Sequence, residues 1–149
     1  MIYPVITLHQ PWATWIMRGW KPIETRTHDR FKLLKGKTVL IHAGLTTDES
    51  AANNPFLTKD QILQNPGEVV NGFILGSAFV ERVDWLKEWH SKLALIDCGS
   101  VKRFGLFLNN ARPLLEPIEE KGEQGIWYYD LEKKQKVKKA ETNTNLKLF

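Results

Sequence analysis

The sequence predicts an α+β domain: a small, mixed, strongly bent β-barrel carrying two or three short helices. Three observations lead there. Five or six apolar stretches of strand length are separated by turn residues, with an alternation too irregular for a doubly wound parallel sheet. The helical patterns between them are short. So many strands leave many edges, and a closed or nearly closed sheet is the economical way to protect them. The length of 149 residues, 42% of them hydrophobic, suits one domain with a real core rather than two.

The elements follow in order. YPVITL (3–8) is rich in branched and aromatic residues and predicts a strand. In QPWATWIMRGW, Pro11 suits the first helical position, Trp12, Trp15 and Ile16 recur at helical spacing, and Gly19 supplies the stop. Residues 21 to 28 are expected to be extended, because Pro22 disfavours helix for Lys21 and because Ile23, Thr25 and Thr27 alternate with charged residues. KLLKGK is a turn and TVLIHAG (38–44) a buried strand. The polar stretch to Phe56 reads as a mobile loop, and the role of residues 44 to 57 is not legible. Thr58 and Gln61 have capping-box spacing for a short helix over 58–65. VVNGFILGSAFVERV (69–83) is the longest strand signal, with Gly72 and Gly76 at bulges or corners. Asp84 is placed to cap a helix, DWLKEWHSKLA, with Trp85 and Trp89 on one face. FGLFLNNARPL (104–114) and GIWYYDL (125–131) complete the strands.

Charge divides the chain. Residues 133–149 hold six lysines and one glutamate, so the domain is expected to span 1–132, followed by a basic, disordered tail over 133–149. Within the domain, residues 18–37 carry seven basic side chains against Glu24 and Asp29, while residues 116–132 carry six acids and one base. One end of the fold can therefore attract phosphate. No apolar run reaches the roughly 20 residues that cross a bilayer, and the start of the chain has no secretory pattern, so no membrane partner is expected. Cys98 is the only cysteine, which excludes an intrachain disulfide and a cysteine-rich zinc site and points to the cytoplasm. Four scattered histidines without ligand spacing predict no metal. No phosphate-binding glycine loop or nucleophile elbow calls for a cofactor or a serine hydrolase.

One motif concentrates charge. In GWKPIETR (19–26), Lys21, Glu24 and Arg26 follow the first helix. Preceded by TLHQPWATWIMRG, and followed by IHAG (41–44) and NNARPLLEPIEEKGEQGIW (109–127), the pattern G-x-K-x-x-E-x-R resembles the ASCH domain family, a branch of the PUA-like β-barrels. The resemblance spans residues 3 to 131. It implies a PUA-like barrel with a cleft beside the first helix, suited to RNA or nucleotide-like ligands. Family members include coactivator-associated nucleic-acid binders, reported ribonucleases and a subgroup hydrolysing N4-acetylcytidine. That subgroup carries a threonine nucleophile where this chain has Glu24, and Thr25 would face the other way.

On a strand, Glu24 and Arg26 share a face roughly 7 Å apart, and Lys21 can lean over the same cleft. Arginine offers a planar fork for phosphate or a carbonyl, lysine a mobile point charge, and the carboxylate an acceptor for a base amine or a ribose hydroxyl. The expected ligand contacts are His9, Gln10, Trp20, Lys21, Glu24, Arg26, Lys121 and Gln124. His9 and Gln10 sit at the strand-to-helix turn, where capping the helix is their structural alternative. Trp20 is a stacking candidate, and Lys121 and Gln124 belong to the closing loop. His42, ending a buried strand, reads as structural.

Besides a structural or partner-binding domain in which Lys21, Glu24 and Arg26 form only an ion-pair network, the residues leave two functions open. One is a module that binds single-stranded RNA or a nucleotide-like ligand in a Lys/Glu/Arg cleft, with affinity falling as salt rises. The other is a small hydrolase in which Lys21 and Glu24 act as an acid–base pair on RNA or an acylated cytidine, Lys21 having its pKa depressed by Arg26. Base preference and oligomeric state are not legible in the sequence.

Overall fold

The computed structural model describes residues 1–64 and 69–138. Its strands are β1 (Ile2–Gln10), β2 (Ile23–Arg26), β3 (Thr38–Thr47), β4 (Phe73–Trp85), β5 (Phe104–Glu119), β6 (Ile126–Asp130) and β7 (Gln135–Lys136). Between them, among the described residues, lie three short helices, α1 (Trp12–Met17), α2 (Lys59–Gln64) and α3 (Ser91–Ala94), and three 3₁₀ segments of three to five residues. The strands form one mixed sheet in the order β2-β5-β4-β3-β1-β6-β7, in which only β1 and β3 run parallel among the described strands. The fold is thus α+β, as expected.

β1 and β3 lie at the centre and are covered on both faces, which is why they read as nearly continuous apolar runs. Ile6, Leu8, Val39 and Ile41 face one cluster, with Ile16 of α1 and Leu106 of β5. Val5 and Leu40, one position out of phase, face a second with Ile74, Trp127 and Tyr129. The period of two thus serves two cores at once.

The ladder is open at β2 and β7, but the sheet is strongly curled. β6 pairs with β1 only from Ile2 to Ile6, leaving the second half of β1 without that neighbour. Into the gap reaches Arg26 from the far edge strand, its Nη2 donating to the Thr7 carbonyl at 3.5 Å. A side chain thus spans the seam that a closed barrel would bridge with backbone hydrogen bonds.

Several local readings hold. Gly19 ends α1 at φ +77°, a left-handed conformation that favours glycine. Thr58 and Gln61 form the reciprocal capping box, at 2.9 and 3.1 Å, although Asn65 lies outside the described residues. At Gly76 both neighbouring registers slip, and an added Cβ would stand 2.3 Å from the Arg112 carbonyl oxygen.

Others are corrected. Asp84 does not cap a helix: β4 runs on to Trp85, which pairs with Phe104 and packs on its ring at 3.7 Å, and only Ser91–Ala94 is α-helical. The cross-strand aromatic pair prevails over the helical spacing of Trp85 and Trp89. The segment read as a mobile loop is built into the fold. β3 continues to Thr47, Ala51 and Leu57 are buried with Trp15, and Asn54 Nδ2 donates to the Leu95 carbonyl at 2.7 Å. The proposed tail boundary falls inside the structure, because β7 pairs Lys136 with Tyr129. Lys133, Lys134, Lys136 and Lys138 therefore belong to the β6–β7 hairpin and its exit, and residues 139–149 lie outside the described part. No helix among the described residues is long and apolar enough to cross a membrane.

Candidate functional site

The seam between β2 and β1 opens into a groove of about 960 Å³, at the upper end of the range for small-molecule sites. Its floor carries Thr7 of β1 and His42 of β3, which are register partners. One wall is Arg26, His28 and Arg30, at every second position along the chain leaving β2. The facing wall is the end of β5 and the closing loop, residues 119–125. His9, Phe31 and Asn71 also line it.

The Lys/Glu/Arg motif converges, but it points mostly inward. Glu24 Oε2 lies 3.1 Å from Arg26 Nη2, and Glu24 Oε1 lies 3.9 Å from Lys21 Nζ. The shared face expected of Glu24 and Arg26 is therefore real. Lys21 is only 2% exposed: its ammonium donates to the Ala94 carbonyl, the last of α3, and sits 5.1 Å from the centre of the Trp12 ring. Glu24 is 5% exposed. Neither lines the groove, so neither can serve as the expected ligand contact or as an acid–base pair on a ligand held there. α3 and the Trp12 ring close over Lys21.

Arg26 is the member that reaches the groove. Its side chain is a quarter exposed, anchored by Glu24 and the Thr7 carbonyl, and lies over the Phe31 ring at 4.9 Å. Its Nε is buried without a hydrogen-bond partner. An arginine held by a buried carboxylate is pre-oriented, so less rotamer freedom is lost when a ligand binds.

Burial, more than Arg26, pushes the Lys21 pKa down to about 8, opposed by Glu24; Arg26 adds a smaller lowering. Unfolded Lys21 holds its proton up to its ordinary 10.5, so between about 8 and 10.5 the unfolded chain binds more protons and stability rises with pH. At about 1.36 kcal/mol per unit, charging this buried amine costs the fold about 3 kcal/mol below pH 8. Wild type should therefore gain about 2 kcal/mol more than Lys21→Met on going from about pH 7.5 to pH 10. Urea denaturation at the two pH values measures this, and parallel curves would refute a charged, buried Lys21.

His42 is 1% exposed and holds the closing loop. Its Nε2 donates to the Glu120 carbonyl at 2.7 Å, which leaves Nδ1 as a buried, unpartnered acceptor on a neutral ring. Burial chiefly keeps it neutral by lowering its pKa. The ring packs edge-on to Trp127 at 5.4 Å, and Trp127 Nε1 donates to Thr7 Oγ1 at 3.0 Å. The sequence reads His42 as structural; the residue anchors the Glu120 carbonyl, but it also lines the groove floor with an unpartnered Nδ1.

The remaining candidates divide. His9, Lys121 and Gln124 line the groove, but no residue of α1 does, so it is not the cleft beside the first helix that the resemblance implied. Gln10 does not line the groove. It is fully buried and caps α1, its Oε1 accepting from Thr14 N at 3.0 Å while Nε2 donates to Thr14 Oγ1 and to the Val70 carbonyl. Trp20 packs with Trp15 at 6.4 Å under the Arg18 guanidinium, away from the groove, because the tryptophans of this region share one apolar cluster. Sequence reasoning missed His28, Arg30 and Phe31. The alternation R-T-H-D-R past the end of β2 was the available signal. Among the described residues no cluster of histidine, cysteine or acidic side chains is fit to hold a metal.

Comparison with known proteins agrees with the fold. The family model described as "ASCH domain" matches residues 6–143. The crystal structure of ASCH from Zymomonas mobilis is similar at TM-score 0.55 and 16% identity, covering 98% of this chain and 94% of that one. Two single-residue mutants of that protein superpose with TM-score 0.51, at 16% and 17% identity and 98% coverage of this chain. Comparison with curated proteins found no match.

Proposed function

The chain belongs to the ASCH domain family, and from that premise we propose that it binds single-stranded RNA or a nucleotide-like ligand, in the cytoplasm, through the groove anchored by Arg26. The observation that carries this reading is the arginine itself: a cation fixed by a buried carboxylate at the edge of a groove large enough for a nucleotide. Its planar fork suits phosphate or a base carbonyl. Lys121 and Gln124 bring a cation and an amide from the facing wall, and Phe31 brings an aromatic ring. Lys21 and Glu24 act through Arg26, as a scaffold for its position. A hydrolytic reading would need its acid and base among the groove residues, since the pair first assigned is sealed. The buried, unpaired Cys98 suits a reducing compartment.

The test is a titration followed by tryptophan fluorescence, for which Trp127 beside His42 is well placed. Short single-stranded RNAs and nucleoside monophosphates should quench it with saturation. Arg26→Lys should weaken binding about tenfold, because lysine keeps the charge but loses the fork. Trp20→Phe, outside the groove, should leave affinity unchanged. Equal affinities for Arg26→Lys and wild type, or no saturable binding of any of these ligands, would overturn the proposal.

A further inference from the structure

The two oppositely charged segments of the sequence become the two walls of one groove. Arg26 and Arg30, with His28 between them, enter the lining from the chain leaving β2, while Glu119, Glu120 and Glu123, with Lys121 among them, enter it from the end of β5 and the closing loop. Counted by formal charge, these lining residues balance, so the groove is not a general phosphate trap. It is bipolar. Glu123 is already tied to Lys136 at 3.2 Å. Glu119 and Glu120 have no salt bridge among the described residues; as neighbours at the end of an extended strand they project to opposite faces, so one carboxylate at a time is offered to the groove.

Resting on the reading above, we infer that the groove selects ligands carrying a phosphate at one end and an amino group at the other, which among nucleotides means amino-bearing bases over their oxo counterparts. Ionised carboxylates only accept hydrogen bonds. An exocyclic amine presented to Glu119 or Glu120 donates to them, as a base amine does to an acidic side chain. An oxo group at the same place brings acceptor against acceptor, so discrimination comes from repulsion as well as attraction. The phosphate end is fixed by Arg26 and Arg30, so the amine end is carried to the acidic wall.

Pairs of ligands that differ in that group, and with it in whether the adjacent ring nitrogen accepts or donates, test this: adenosine against inosine 5′-monophosphate, and cytidine against uridine 5′-monophosphate. The amino member of each pair should bind about tenfold tighter. The Glu119→Gln/Glu120→Gln variant should bring the ratio close to one. Both side chains reach solvent, and the backbone hydrogen bonds of Glu120 survive the change, so the fold should persist; a circular dichroism melt checks it. Phosphoethanolamine, with the same two ends and no ring, separates the sources. If it binds as tightly as the nucleotides, polarity is what is selected and the nucleotide reading fails. If amino and oxo nucleotides bind equally, or the preference survives in the double variant, this inference falls while nucleotide binding stands. If no nucleotide, RNA or phosphoethanolamine binds, both fall.

Discussion

Replacing Glu24 with alanine should lower the unfolding free energy by about 3–5 kcal/mol, the usual cost of removing one partner from a buried ion pair. Glu24 is the only anion of its cluster, 3.9 Å from the Lys21 ammonium and 3.1 Å from the Arg26 guanidinium. Without it a fully buried ammonium keeps one carbonyl and the face of Trp12, and both cations of the trio repel each other in a dry environment. The mechanism makes a second, sharper demand. If the cost comes from an orphaned lysine rather than from lost packing, then adding Lys21→Met to Glu24→Ala should restore part of the stability, a coupling that a double-mutant cycle measures directly. A loss below about 1 kcal/mol, or two mutations that simply add, would show that the pair does not hold the strand. Glu24→Ala should also weaken ligand binding without touching the ligand, because Arg26 loses its fixed orientation.

That cluster also shows what the sequence could and could not disclose. The alternation of Ile23, Glu24, Thr25 and Arg26 placed the acid and the second base on one face, and the 3.1 Å ion pair confirms it. Which side of the sheet that face looks to depends on distant residues. Ala94 and Trp12 close over Lys21 from other elements, and nothing within the motif announces them. Three opposed charges in six positions suggest exposure only while each is counted alone; as a mutually compensating set they tolerate burial. Gln10 misled for a related reason, since a polar residue at a strand-to-helix turn is equally suited to a ligand or to the first backbone N–H groups of the helix. Where the controlling partners were local, the reading succeeded: Gly19 ending α1, and Thr58 with Gln61 opening α2. The wall formed by His28 and Arg30 was legible as a period of two, but it continues past the end of β2, where no ladder announces it.

The second large effect is expected at Gly122, whose importance lies in contact rather than in φ. A Cβ there would lie 2.5 Å from His42 Cε1, 2.7 Å from its Nδ1 and 2.8 Å from Thr7 Oγ1. None of these atoms can retreat easily: the ring is buried against Trp127 and bonded to Glu120, and Thr7 Oγ1 accepts from Trp127. Overpacking of this kind costs about 1–3 kcal/mol when the structure cannot yield. Here the closing loop can yield, because it lies at the surface and is tethered only at its ends and edge, by the hydrogen bonds of Glu120 to His42 and Gly72 and the ion pair of Glu123 with Lys136. Gly122→Ala should therefore leave the core folded while lifting residues 120–125 from the floor. Lys121 and Gln124 would go with them, and affinity should fall about a hundredfold, roughly 2.7 kcal/mol. Hydrogen exchange should show faster amide exchange confined to the loop. The partner variant is His42→Gln, whose terminal amide can still donate to the Glu120 carbonyl but presents no ring to the added methyl. In that background Gly122→Ala should cost markedly less affinity. If Gly122→Ala binds like wild type with unchanged exchange, the close approach of Gly122 to His42 does not position the loop, and the prediction fails.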